Sequence, residues 1–168
     1  AVSRLARRLG ALAALLLAGS LPAEGRVRPP ADSVPEPVLL ELRLGRIASR
    51  TVQAAREGDR ALLPVAQFLE LAEIRAMPRE AAGIVATLQP GNRRLEILPV
   101  ERIVRVGGTA RAIPAEALQQ DGGEVYLSSE VLAELLGIRI VVSWEELTVT
   151  VMNPEALPLG RRVARNAV

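Results

Sequence analysis

One pattern of residues occurs twice along the chain. The stretch from Leu42 to Arg75, which begins Leu-Arg-Leu-Gly and ends Ile-Arg, returns from Val104 to Arg139 as Val-Arg-Val-Gly through Ile-Arg. The lag of about 62 to 64 residues indicates a duplicated structural unit. The matching positions are apolar and turn residues, and no reactive side chain recurs with them. The duplication therefore predicts a repeated scaffold whose role is to bind or to space.

Both copies predict a strand that leads directly into a helix. The strand around Leu63 matches the strand around Leu127. In the first copy, Pro64 suits the first turn of a helix because its missing N–H has no partner there. In the second copy, Ser128 is a suitable N-cap, and Gly137 is placed to end the helix in a left-handed conformation.

Alternating apolar residues predict further strands on both sides of these helices. The predicted strands are residues 38–44, 51–56, 61–63, 84–88, 95–98, 103–106, 124–127, 138–142 and 147–151. Each copy would then be a short antiparallel sheet with one covering helix. The predicted fold class is α+β, built from two duplicated small units.

The N-terminus has the pattern of an export signal. Three arginines precede an apolar run of about 12 residues, which is too short for a bilayer core that needs about 20. The alternative is a membrane anchor or a buried helix. The predicted organisation is a signal peptide over residues 1–23, a Pro-rich linker over 24–37, repeat unit 1 over 38–100, repeat unit 2 over 101–153, and a tail over 154–168. We therefore expect an exported protein of the bacterial periplasm or cell envelope.

Composition excludes several classes of function. The chain contains no histidine and no cysteine, which excludes disulfides, a thiol nucleophile, an imidazole base and a His/Cys metal site. Removing residues 1–23 removes three arginines and no acid, which leaves 18 arginines against 19 acidic residues and a net charge of −1. Such a balance gives no electrostatic surface for nucleic acid. We expect no cofactor and no metal.

The remaining polar residues give weak candidates for catalysis. Serine hydrolysis needs a base beside the hydroxyl, and a chain without histidine or lysine lacks the usual partners. Paired carboxylates are the other possibility, although adjacent acids more often lie apart on a solvated surface. The residues considered are Ser128, Ser129, Ser143, Asp59, Asp121, Glu124, Glu145 and Glu146. We interpret them as cap, turn and surface residues, and the protein as a non-enzyme.

One region is predicted to contact a partner. Trp144 lies in a predicted turn beside two acids, where it is either a binding anchor or, more commonly, a lid over the edge of the core. The strands 40–44 and 147–151 are the candidate sheet edges, to which an extended partner segment could add as a strand. The predicted contact residues are Trp144, Glu145, Thr148 and Thr150.

The second copy resembles a known repeat. From Asp121 to Val151, a strand follows a glycine turn, a helix ends in Leu-Gly, and a strand pair follows. This order is similar to the repeat of the copper amine oxidase N-terminal-like module. The resemblance implies a non-catalytic stalk of exported bacterial proteins. It implies no copper here, because the chain has no histidine.

The longer layout, from Val38 to Arg162, resembles the N-terminal periplasmic region of bacterial outer-membrane usher-like proteins. There a signal peptide precedes two such units, and a segment like residues 153–162 leads into a β-barrel. The resemblance implies a spacer or interaction region beside an outer-membrane barrel of the same chain. We accordingly expect a fragment whose C-terminal region is missing.

Three classes of function remain as hypotheses. The first is a non-enzymatic periplasmic interaction or spacer module of an usher-like assembly or secretion protein, with a protein partner bound by strand addition. The alternative is a free-standing exported module that binds cell wall or glycan. A hydrolase is the third, and the residue inventory supports it least. Contact with a membrane is expected only through the signal or the missing C-terminal region.

Overall fold

The structure is a computed structural model that describes residues 34–168. The strands are β1 (Glu36–Leu44), β2 (Ala48–Glu57), β3 (Arg60–Pro64), β4 (Ala76–Pro78), β5 (Ile84–Leu88), β6 (Arg93–Leu98), β7 (Ile103–Val106), β8 (Thr109–Ala112), β9 (Leu118–Asp121), β10 (Glu124–Ser128), β11 (Ile140–Ser143) and β12 (Thr148–Val151). The α-helices are α1 (Val65–Leu71), α2 (Ser129–Leu136) and α3 (Pro158–Asn166), and short 3₁₀ turns occupy Glu80–Ala82, Ala115–Ala117 and Pro154–Ala156.

The predicted fold class is wrong. The described residues are mostly β, with 47% in strands and 24% in helices, and they form two sheets rather than two separate α+β units. The larger sheet has seven strands in the order β11-β12-β1-β2-β3-β10-β9, and the smaller has five in the order β4-β5-β6-β7-β8. Each sheet takes strands from both copies of the repeat. Neither copy therefore has a sheet of its own.

The two copies meet at the pair of strands β3 and β10. These strands are antiparallel, and Leu63 lies directly opposite Leu127. The neighbouring pairs are Leu62 with Ser128 and Pro64 with Tyr126. Positions 62 and 64 of the first copy correspond to positions 126 and 128 of the second, at a constant lag of 64 residues. The Leu62–Ser128 pair is therefore equivalent to the Pro64–Tyr126 pair with the two copies exchanged. The pairing has the local twofold symmetry of a small dimer joined into one chain.

The last hairpin of each copy pairs with the first strand of the other. Strand β12 lies parallel to β1, and β6 lies antiparallel to β7. The directions differ because β6 and β7 are joined by a short turn, which only an antiparallel pair allows, whereas β12 and β1 are far apart in sequence. This exchange mixes the copies and gives one continuous core that includes Leu42, Phe68 and Leu127.

The predicted ends of α2 are confirmed, whereas β4, β8, β9 and α3 were not predicted. The Ser128 Oγ accepts a hydrogen bond from the Val131 N–H at 3.3 Å and caps α2. Gly137 ends α2 with φ +64°, in the left-handed region.

Strand β1 begins at Glu36, inside the segment predicted as a linker over 24–37. The predicted signal peptide lies outside the described residues. Within residues 34–168, no helix is long and apolar enough to cross a membrane.

The segment 154–168, expected as a tail, is folded against the body of the protein. Leu157 and Leu159 are buried, and the Leu159 N–H donates to the Ala72 carbonyl at the end of α1. The Arg162 guanidinium donates twice to the Glu73 carboxylate, at 2.9 and 2.5 Å. Helix α3 thus belongs to the same compact unit as both copies of the repeat.

Candidate functional site

Trp144 lies in the turn between β11 and β12, and its polar group is used within the chain. The indole Nε1–H donates to the Asp59 carbonyl at 3.2 Å, and the Arg56 guanidinium carbon lies 4.4 Å from the ring centroid. The ring is half-buried and packs against the core. Trp144 therefore fastens the second copy to the turn between β2 and β3 of the first. This geometry matches its alternative interpretation as a lid over the core edge.

The interpretation of residues 40–44 and 147–151 as sheet edges is wrong. Strand β1 lies between β12 and β2, and β12 lies between β11 and β1, so both strands are paired on both sides. The parallel pairing places Thr148 beside Glu41 and Thr150 beside Arg43. Thr148 is only 3% exposed, whereas Glu145 is exposed in the adjoining turn. The four predicted contact residues are thus neighbours in space without sharing an open edge.

A polar surface surrounds Thr150 on the outer face of the larger sheet. The Arg43 guanidinium and the Glu41 carboxylate form an ion pair at 2.7 Å. The hydrogen bond from Arg43 lowers the pKa of Glu41 from its usual value. A cavity of about 580 Å³ is lined by these two residues together with Arg46 and Ser49. Glu41 and Arg43 are two residues apart on β1, so their pairing is local, whereas the position of Thr150 beside them depends on the long-range register of β1 against β12.

Several of the catalytic candidates have structural roles, and one pair of acids meets across two strands. Ser128 is buried and caps α2, and the Ser143 Oγ accepts from the Glu146 N–H at 3.3 Å. Asp121 and Glu124 lie directly opposite each other on β9 and β10. Burial raises the pKa of the nearby Tyr126 hydroxyl, and these two acids raise it further.

Among residues 34–168, no three acidic side chains converge on a position that could hold a metal ion.

The open edges of the two sheets are β11, β9, β4 and β8. Strand β4 has three residues and ends at Pro78, which has no N–H to donate. Strand β8 is longer, with four exposed residues, and contains no proline. Within the described residues, β8 pairs with β7 alone. Sequence reasoning missed this strand, since Thr109–Ala112 has no apolar alternation to mark it.

The backbone of β8 is oriented so that alternate residues face the open edge. Val106 and Thr109 flank the two-glycine turn, and beyond the strand the Ile113 N–H donates to the Arg102 carbonyl at 2.8 Å. Because hydrogen bonding alternates along an antiparallel pair, every second residue directs its N–H and C=O toward β7. The N–H and C=O groups of Ala110 and Ala112 therefore point to the open edge.

A groove runs between β8 and helix α2. The Arg111 guanidinium on β8 and the Glu134 carboxylate on α2 form an ion pair at 2.5 Å that crosses this groove. Two cavities, of about 240 and 270 Å³, share these two residues in their linings. The first is lined also by Val104, Val106 and Leu135, and the second by Ile113, Glu130 and Val131. The open edge of β8 and the groove between β8 and α2 thus lie side by side.

Comparison with known proteins gave no relative: no family model, no curated protein and no solved structure matches this chain.

Proposed function

We propose that this chain is a non-enzymatic interaction module of the bacterial cell envelope that binds an extended polypeptide by strand addition at β8. The observation that carries the proposal is the open edge of β8, where the backbone groups of Ala110 and Ala112 have no partner strand among the described residues. An extended segment that satisfies these groups would become the sixth strand of the smaller sheet.

The cellular setting comes from the sequence. The export-signal pattern of residues 1–23 supports a location in the periplasm or cell envelope, and the resemblance to usher-like proteins supports an assembly or secretion protein of the outer membrane. The duplicated scaffold adds support, because strands from both copies form the five-stranded sheet that has β8 at its edge. In this setting the module spaces or recruits polypeptides beside an outer-membrane barrel.

Strand addition at β8 is expected to be weak, so the assay must detect weak binding. Two residues offer about four backbone hydrogen bonds, and each contributes about 0.5–1.5 kcal/mol net. Their sum corresponds to dissociation constants around the millimolar range. We expect the capped heptapeptide Thr-Val-Thr-Ser-Thr-Val-Thr to shift the backbone amide signals of Ala110 and Ala112 in an NMR titration, and to slow their hydrogen exchange.

A pair of variants tests the edge directly. Ala110→Pro removes one outward N–H, whereas Ala110→Thr keeps it and favours a strand. We expect the proline variant to lose at least fivefold in affinity and the threonine variant to stay within twofold of the wild type. Shifts confined to the larger sheet, or equal binding by both variants, would refute the proposal.

A second function is favoured by the polar cavity at the Glu41–Arg43 pair. Its hydroxyl, carboxylate and guanidinium groups are suited to the hydroxyls of a glycan, as a free-standing wall-binding module would require. Sedimentation with purified peptidoglycan tests this function. Retention that is lost in Glu41→Gln and kept in Ala110→Pro would favour the wall-binding alternative over strand addition.

A further inference from the structure

The groove beside β8 has a different chemical character at its two ends. At one end, Val104, Val106 and Leu135 give the lining an apolar part, and Arg93 lines the same cavity. At the other end, Glu130 lines the cavity next to Ile113. Among residues 34–168, the Glu130 carboxylate has no basic partner within ion-pair distance, in contrast to Glu134, which Arg111 neutralises. The groove is therefore partly apolar at one end, where Arg93 adds a positive charge, and has a carboxylate without an ion-pair partner at the other.

Alternate residues of a strand added at β8 have the spacing needed to reach both ends of this groove. Thr109 and Arg111 share the inner face of the smaller sheet with Val106 and Val104, which lie directly opposite them. Residues of an added strand that stand opposite positions 109, 111 and 113 would point to the same face, because side chains alternate with a period of two. The outer two of these three positions are about 14 Å apart, at about 3.4 Å per residue.

We propose that the groove selects an extended segment with a basic side chain, a small residue and an apolar side chain at alternate positions. This inference rests on the proposed strand addition at β8 and names the chemistry of the partner. The basic side chain lies opposite position 113 and contacts the Glu130 carboxylate. The apolar side chain lies opposite position 109, next to Thr109 at the margin of the cavity that Val106 and Leu135 line.

The middle position must be small because the Arg111–Glu134 ion pair crosses the groove there. In the antiparallel orientation, the segment reads basic, any, small, any, apolar from its N-terminus. A reversed segment would place its apolar side chain against Glu130 and its charge against the apolar part of the lining. The groove therefore also sets the direction of the added strand.

Three peptides test the inference. The heptapeptide described above is compared with two versions in which the first valine is replaced by arginine or by glutamate. An exposed charge pair contributes about a two- to fivefold change in affinity at low salt. We expect the arginine version to bind two- to fivefold tighter than the valine version and the glutamate version to bind more weakly than both, with the preference reduced in 0.5 M salt.

Two variants of the protein test whether Glu130 causes the preference for the arginine peptide. Glu130→Gln should abolish the advantage of the arginine peptide and leave binding of the valine peptide within twofold. Glu145→Gln is the matched control, because it removes an exposed carboxylate in a turn away from the groove and should leave the advantage intact.

The possible outcomes separate the two proposals. If all three peptides perturb Ala110 and Ala112 with equal affinity, strand addition stands and the basic selectivity is wrong. If the arginine advantage persists in Glu130→Gln, the selectivity has another source and the inference is also wrong. If no peptide perturbs the β8 amides, both proposals fall.

Discussion

The paired leucines at the junction of the two copies give the sharpest test of the fold. Leu63 and Leu127 are each 0% exposed and lie opposite each other on β3 and β10. Truncation to alanine removes three carbon groups, which at about 0.8 kcal/mol per buried group sets a loss near 2.4 kcal/mol. The cavity left behind raises the expected loss in free energy of unfolding to between about 2.5 and 5 kcal/mol. Because the two sites are related by local symmetry, we expect similar losses for Leu63→Ala and Leu127→Ala.

Urea unfolding followed by circular dichroism measures both losses. The matched control is Leu39→Ala, since Leu39 is 63% exposed on β1 and its truncation should cost less than about 0.5 kcal/mol. A single transition should persist in each variant, because the copies share one core. A loss below about 1 kcal/mol at either leucine would refute the central position of the β3–β10 pair. A separate unfolding transition for each copy would refute the shared core.

Two further predictions concern the docking of α3. Gly160 lies so close to the backbone of Pro154 that an added Cβ has no space. We expect Gly160→Ala to lower the free energy of unfolding by about 1–3 kcal/mol, and the melting temperature with it, although alanine has the better helix propensity. A rise in melting temperature would show that α3 is not held there. The hydrogen bond from Arg162 lowers the pKa of Glu73, so this pair stabilises the folded state above the ordinary carboxyl pKa and the contribution is lost as pH falls through the lowered value. The melting temperature of Glu73→Gln should therefore lie below that of the wild type at pH 7 and converge with it below about pH 4, and a gap that is independent of pH would contradict this reasoning.

The predicted contact residues show what a single sequence can and cannot place. Trp144 was predicted in a turn, and it lies in one. Its partner, the Asp59 carbonyl, comes from the other copy, 85 residues away. Thr148 and Thr150 were predicted on a strand, which is confirmed, but the strand is an interior one. Local pattern identified the elements, and only long-range pairing decided which of them are edges.

Strand β8 illustrates the opposite error. Its four residues are small or polar and gave no periodic signal, yet the two-glycine turn before them forces the chain back along β7. The groove beside it depends on α2, whose carboxylates at positions 130 and 134 point away from the apolar stripe of the helix. The amphipathic character of α2 was predictable, whereas its approach to β8 was not.

The sequence by itself determined the short-range structure of this protein. The strand periodicity, the Ser128 cap and the left-handed Gly137 depend on residues a few positions apart, where backbone sterics and local hydrogen bonds dominate. Tertiary structure alone decided the grouping into two sheets. Each copy has too little apolar surface to bury its own strands, so the last hairpin of each pairs with the first strand of the other. Such pairing is selected by burial over the whole chain, and no local pattern encodes it.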